Sequence, residues 1–345
     1  MQTPTKLAVL KKWVRWRWHP GSPAAPSPVS PPAASREAHR AHSILVYGIC
    51  QATHLGRILN AIPSIVNRFN ISAIEMCADP VTGEFRRPPP EILETCECLY
   101  FQAHLGEVLP DYLQRLIAQG RSQRFPILTC HPLWPSHTEL YRMLVQTLDA
   151  QEMQRARRLL QEPGLPWGRF PYADRVLLDL AKTEEVDERI VDRYVALDLA
   201  KTIDLDRRVQ LWRRHLEEVD QGCDVRLAEL QWREWRDTRH YWAINHPANQ
   251  LFGEILRRLF ACTVGPIPEE EVVEALRTSE PNHFMPPVHP SVARYLGLKW
   301  YSPDELFNWP DGPFTLRQWA LEHVRYTRRI LACRPLLDAN SQPQD

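Results

Sequence analysis

The stretch Ile44-Leu-Val-Tyr-Gly-Ile-Cys-Gln-Ala-Thr-His-Leu-Gly-Arg-Ile-Leu59 decides the fold. Ile44, Leu45 and Val46 suit a buried parallel strand, and the run stops at Gly48. Leu55, Ile58, Leu59 and Ile62 then recur at helical spacing. The reading is strand, tight turn, helix, with Cys50 and Gln51 where strand passes into helix. A helix N-terminus offers free N–H groups and the positive end of a dipole, which favour an anion and lower a thiol pKa. The turn can therefore hold a phosphate, present a thiolate, or simply turn a corner.

Outward from this stretch, residues 44–150 alternate short apolar runs with helical segments. Strands are expected at 44–48, 71–76, 98–102 and 125–129, and helices at 51–62, 108–118 and 137–149. Such alternation implies a parallel sheet covered by helices. Three runs end in chemically capable residues: Cys50-Gln51, Gln102-Ala-His104 and Cys130-His131. In an open parallel sheet all strand carboxyl ends lie along one edge, where ligands bind, so Cys50, Gln51, Gln102 and His131 gather on one rim. Each alone is as well explained by packing or a turn.

Residues 151–262 read as mostly helical. Leu178-Asp-Leu-Ala-Lys-Thr183 recurs as Leu197-Asp-Leu-Ala-Lys-Thr202, a duplicated helical turn rather than a solenoid, which needs about three repeats. Long charge-laced helices are expected over 207–218 and 225–242. Asn245-His-Pro247 breaks the pattern before an apolar helix at 250–262, with Pro247 suited to its first turn. A proline-ordered loop from Pro286 leads to a short helix, and Phe314 to Leu331 forms the last amphipathic one. The expected architecture is α/β: an N-terminal parallel sheet with flanking helices at 44–150, and a mainly α-helical part at 151–334 that completes the site. Tails at 1–43 and 335–345 are expected to be disordered.

Hydrophobic content of 44% and charged content of 24% are those of a globular protein. The net charge is zero but uneven. Residues 1–43 hold seven Lys/Arg against Glu37 alone, a net +6, which leaves −6 on the remainder. An acidic body argues against a general nucleic-acid binder. The basic, Trp-bearing head at 11–18 has the composition of a segment that touches an anionic membrane surface or single-stranded nucleic acid, but a solvated tail is the favoured reading. The eight cysteines are scattered, as expected of reduced thiols, and show no four-ligand zinc spacing. No apolar run approaches the roughly 18–20 residues of a membrane span, and Leu7–Leu10 is too short for a signal-peptide core, so a cytoplasmic protein is expected.

Five motifs in order carry a family resemblance: Gly48-Ile-Cys-Gln51, Phe101-Gln102, Phe125-Pro with His131-Pro132, Asn245-His-Pro247, and Pro287-Val-His-Pro-Ser-Val-Ala-Arg-Tyr-Leu-Gly-Leu298. They resemble the WcbI-type polysaccharide biosynthesis proteins over roughly residues 44–300. The resemblance implies a role in capsular polysaccharide biosynthesis, coenzyme A binding, and acetyl transfer from acetyl-CoA to a sugar or nucleotide-sugar acceptor. One position departs: the family has Asn where this chain has Ile49, so an oxyanion or thioester contact made by that Asn would be lost.

On this reading His131 or His246 is the base, since imidazole titrates nearest neutral pH. Cys50 is either the nucleophile of an acyl-enzyme or a neighbour of the thioester. Gly48, Gln51, Gln102 and Asn245 frame the cofactor, with the two glutamines and the 50–51 N–H groups as oxyanion donors. His54 or Arg57 would meet its phosphates, as equally could Arg239, Arg294 or Lys299. A hydrolase of the SGNH-like esterase kind and a non-catalytic CoA-binding or interaction protein are the other classes open.

Overall fold

The structure, a computed structural model, describes residues 42–76, 87–102, 109–138, 170–279, 284–310 and 312–339. The basic head, His104, the expected helix beyond 138 and residues 340–345 lie outside the described residues.

The opening stretch folds as read. Strand β1 (His42–Gly48) runs straight into helix α1 (Cys50–Asn60), and a short α2 (Pro63–Val66) leads to β2 (Phe69–Glu75). After α3 (Pro90–Glu94) come β3 (Cys96–Gln102), α4 (Asp111–Ala118) and β4 (Ser122–Phe125). All pairings are parallel, in the order β2-β1-β3-β4. The fold class is therefore α/β, with a parallel sheet and helices packed on it.

Both faces of β1 are covered, which explains its unbroken apolar run. Ile44 and Val46 join Leu55, Ile58 and Leu59 of α1 in one core. Leu45 and Tyr47 face the other way, with Leu113 and Leu116 of α4. Gly56 lets α1 approach β2 closely: a Cβ there would lie 2.4 Å from Ala73 Cβ.

The last strand departs from expectation. Ile127 and Leu128 are buried but extend past the paired residues, and pairing falls instead on the polar run Ser122–Phe125 at the sheet's border. Residues 137–138 are also a strand, not the start of a helix: β5 (His137–Thr138) pairs antiparallel with β6 (Ala173–Asp174).

The helical part comprises α5 (Arg175–Ala181), α6 (Asp187–Ala196), α7 (Leu199–Thr202), α8 (Leu205–Gln221) and α9 (Ala228–Glu234). The duplicated hexapeptide falls at the end of α5 and across the start of α7, where Asp198 is the residue before the helix, so the two copies are not equivalent turns. Helix α9 ends long before residue 242. In its place stands a hairpin, β7 (Tyr241–Ala243) and β8 (His246–Pro247), joined by Ile244 and Asn245. Pro247 thus belongs to a strand, and α10 (Asn249–Cys262) begins two residues later.

After α11 (Glu269–Thr278), α12 (Pro290–Leu296) is capped by the His289 side chain and closed by Gly297, whose φ of 66° suits glycine. Helix α13 (Leu316–Ala339) continues past residue 335, where a frayed end was expected. The core on the α1 face is shared by sheet and helical part, from Ile44 to Leu298. Among the described residues no helix is long and apolar enough to cross a membrane.

Candidate active site at the strand-end edge

The carboxyl ends of β1 and β3 and the segment after β4 meet at one edge, where two glutamines bind them together. Gln102 Oε1 accepts the Ile49 N–H at 3.0 Å, while its Nε2 donates to Gln51 Oε1 at 2.8 Å and to Pro126 O at 3.4 Å. Gln51 Nε2 donates to Leu128 O at 2.7 Å and Asn245 O at 2.8 Å, and its Oε1 also accepts the Leu128 N–H at 3.1 Å. Every side-chain N–H of the pair is engaged, so neither amide has a donor left for an oxyanion. They form a clasp that positions the edge. Gly48 belongs to it as well: a Cβ there would meet Gln102 Oε1 at 2.5 Å. These three residues were expected to touch cofactor, and the structure places them in support of the residues that remain open.

The clasp delivers the hairpin to α1. With Gln51 on Asn245 O and the Cys130 N–H on Ile244 O at 2.7 Å, the Asn245–His246 corner is held against the helix start. Cys50 Sγ then lies 4.0 Å from His246 Nε2, two groups 196 residues apart in sequence. Both residues are partly exposed. Tyr172, which the sequence reading did not single out, completes the group. Its hydroxyl donates to Asn245 Oδ1 at 2.9 Å and lies 3.3 and 3.2 Å from His246 Nδ1 and Nε2.

The electrostatics overturn one expectation. Burial, followed by the charge of Glu75 at the end of β2, raises the Cys50 thiol to about 11, although the N–H groups of Gln51 and Cys50 and the charge of Arg57 pull it down. The helix start does favour the thiolate, but desolvation outweighs it, and Cys50 is a neutral thiol at pH 7. Burial likewise lowers His246 to about 4, assisted by His54 and Arg57. The facing pair is thiol and neutral imidazole, not thiolate and imidazolium.

His54 lies one turn along α1 from Cys50. It is buried, bonded through Nε2 to Asn249 Oδ1 at 3.0 Å and packed edge-on to Phe252, and burial lowers it to about 4. Arg57, a further turn on, is exposed and has no ion-pair partner among the described residues. Of the other cations weighed, Arg239 is engaged with Glu305 and stacked on Trp242 and Trp300, and Lys299 pairs with Asp237 at 2.6 Å. Arg57 is the cation left near Cys50.

His131 is not part of the pair. It stands on the loop after β4, where partial desolvation by neighbouring groups, then the charges of His215 and Arg208, lowers its pKa although much of the side chain meets solvent. Its influence reaches His137, and no hydrogen bond joins it to Cys50 or His246 among the described residues. Of the two candidate bases, His246 is the one the structure brings to the thiol. Ile49 is the residue before α1, with no side-chain cap, and its side chain packs on the cluster of Leu45, Tyr47 and Phe101. An Asn in its place would stand at the N-cap, where such side chains bind backbone N–H groups.

A cavity of about 610 Å³ lies elsewhere, at the opposite edge, lined by the strand starts His42, Phe69, Cys96 and Ser122 with Arg68, Arg121 and Cys262. It does not contain any of the residues above. Among the described residues, no group of three or more His, Cys, Asp or Glu is placed to hold a metal ion.

No curated protein matches the chain. A solved structure does: WcbI, described as a novel polysaccharide biosynthesis enzyme, in its native form without a disulfide bond between CoA and one of its cysteines. The two are 14% identical, the match covers 87% of this chain and 96% of that one, and the TM-score is 0.57, so they share the fold. Residues 43–263 match the family of the polysaccharide biosynthesis enzyme WcbI, a span that runs from β1 through the clasp and hairpin to the end of α10. With most of its length in that match, the chain belongs to the WcbI family of polysaccharide biosynthesis enzymes.

Proposed function

We propose that the protein binds coenzyme A at the strand-end edge and transfers the acetyl group of acetyl-CoA to a hydroxyl of a sugar or nucleotide sugar during capsule biosynthesis. The observation that carries this reading is the approach of Cys50 Sγ and His246 Nε2 to 4.0 Å on the ligand-binding edge of the sheet, in a chain of this family. The CoA named with the solved WcbI supports the choice of cofactor. The residues present fit such a ligand. A partly exposed thiol and imidazole face each other, the N–H groups of Cys50 and Gln51 act on the sulfur, and Arg57, with no ion-pair partner among the described residues, offers a cation to a phosphate.

Acetyl-CoA, when bound, supplies the activated acyl group. His246, with a pKa of about 4, is unprotonated at neutral pH, so its lone pair can take the proton of an acceptor hydroxyl. Cys50, at about 11, is not a preformed nucleophile, which favours direct transfer over an acyl-enzyme. The first-turn N–H groups of α1 are the donors that remain for developing negative charge.

Calorimetric titration with CoA and acetyl-CoA, together with mass analysis of candidate sugar acceptors, tests the reading. Binding and CoA-dependent acetylation are expected of the wild type, and binding without transfer of His246→Ala. No binding at millimolar ligand ends it. Ester hydrolysis that needs no CoA would mark a hydrolase, and binding without transfer in the wild type a non-catalytic CoA-binding protein.

A further inference from the structure

Helix α8 meets the loop after β4, and basic groups gather at the contact. Trp212 Nε1 donates to Thr129 O at 2.6 Å, which seats one stripe of α8 against the loop. Arg208 and His215 lie on the same stripe by helical spacing, one on each side of Trp212, and the charges of both reach His131. The loop then turns. The Trp134 N–H donates to His131 O at 3.3 Å and the His137 N–H to Trp134 O at 3.0 Å, which carries the chain from one histidine to the next. The His137 ring packs on that of Tyr172 at 5.8 Å between centroids, and Tyr172 on His246 at 5.5 Å. A shelf of rings thus leads from His246 to three imidazoles and an arginine.

The carboxylates nearest Arg208 along α8 are committed elsewhere. Asp204 caps the Arg207 N–H, Asp206 accepts from Tyr295, and Glu217 binds Arg213. Arg208 is exposed and has no ion-pair partner among the described residues, while Glu218 acts on His215. Desolvation lowers all three imidazoles, His137 to about 4, and their charges add to it: His215 and Arg208 on His131, and His131 on His137, where the Ala173 backbone acts the other way. An anion relieves such crowding. Each neutral imidazole still offers one N–H, and a guanidinium matches phosphate with paired donors.

We propose that Arg208 and His215 of α8, with His131 and His137 of the facing loop, form an anion subsite for the phosphate of a phosphorylated sugar acceptor, free or nucleotide-linked, whose hydroxyl is presented to His246. Arg57 stands on α1 with Cys50, and the subsite is reached from His246 through Tyr172 and His137, so cofactor and acceptor phosphates have separate positions. The sugar ring lies between, against the shelf. The anion subsite stands by itself, and its assignment to the acceptor rests on the acyl-transfer reading above.

Calorimetric titration with inorganic pyrophosphate at fixed ionic strength, with and without saturating CoA, tests the subsite. The wild type should bind pyrophosphate with CoA in place. Arg208→Gln combined with His215→Asn should weaken that binding about tenfold or more, while Arg214→Gln, which removes an exposed cation on another side of α8, should leave it within about twofold. In acetyl transfer the double variant should raise KM for a sugar phosphate about tenfold or more, with kcat and KM for acetyl-CoA within about twofold. No pyrophosphate binding at millimolar concentration overturns the proposal, as does equal weakening by Arg214→Gln, the mark of unspecific charge. Pyrophosphate displaced by CoA, or CoA affinity lost in the double variant, would assign these cations to the cofactor and overturn it too. If the wild type transfers no acetyl group, the functional reading fails while the titrations still decide the anion subsite.

Discussion

At the strand-start edge of the sheet a cavity of about 610 Å³ is lined by charged residues, and at the strand-end edge Cys50 and His246 meet beside a buried amide clasp. The cavity is the more conspicuous of the two, yet its cations are already engaged. Arg121 Nη1 donates to Cys96 O at 3.2 Å, Arg68 lies over the Phe69 ring and donates to Val264 O at 3.4 Å, and His42 pairs with Glu97. At the strand-end edge the glutamines are equally engaged, but what they hold is not. A thiol and an imidazole that meet at 4.0 Å, and an arginine with no ion-pair partner among the described residues, remain partly or fully exposed there. The difference teaches that open chemistry, more than concavity, separates a site from a fold of the surface.

The comparison breaks most directly by mutation of each edge. His246→Ala should lower acetyl transfer by about 10²–10⁴-fold, the usual worth of a general base, whereas Arg121→Ala should leave it within about twofold. An equal loss in both variants, read from initial rates, would put the chemistry elsewhere.

The clasp should show itself in stability. Gln51→Ala strands the Leu128 N–H, two carbonyls and one Gln102 N–H, for a loss of about 3 kcal/mol in urea unfolding. A loss below about 1 kcal/mol would mean that the glutamine is free for ligand rather than structural.

The buried histidines set the pH dependence. His54 is lowered to about 4 and the fully buried His323 to about 3 by desolvation. Their folded pKa values lie below the unfolded value near 6.5, so the unfolded state takes up protons first and stability falls as pH drops. Between pH 6.5 and 5 each should contribute a loss of about 1.6 kcal/mol. Urea midpoints measured across that window check it, and a flat profile would show these imidazoles to be hydrated.

The smallest effect sharpens the role of residue 49. Ile49→Asn should change stability by less than about 1 kcal/mol, the N-cap gain offsetting the packing lost against Leu45, Tyr47 and Phe101, and leave transfer within about twofold. A tenfold change in rate at unchanged stability would return that side chain to the chemistry.

Much of this was legible in the chain. The strands of 44–48 and 98–102 announced themselves as buried apolar runs and 71–76 as a shorter half-buried one, while their starts at His42-Ser43, Phe69-Asn70 and Cys96-Glu97 were missed and Met76 falls past the end of its strand. The rim followed from topology alone, which brought Cys50, Gln51 and Gln102 together. What could not be read was which polar groups neutralise each other. Gln51 and Gln102 look like ligand donors until their mutual bonds are seen, and a helix start looks like a thiolate site until desolvation is weighed. Tyr241-Trp-Ala243 continued a helical spacing although a two-residue corner turns it back on His246. Tyr172 gave no signal, since its meaning lies in partners more than 70 residues away.

Thiol–disulfide exchange with CoA disulfide, read by intact-mass and peptide spectrometry, puts the central claim to its most direct test. Cys262 is exposed at the strand-start edge, while Cys50 is partly buried with its pKa near 11, so unaided reactivity favours Cys262. If the strand-end edge binds CoA, docking reverses that order: one CoA is added at Cys50 with release of free CoA, and acetyl-CoA suppresses the reaction. Modification of Cys262 first, indifferent to acetyl-CoA, would contradict the account.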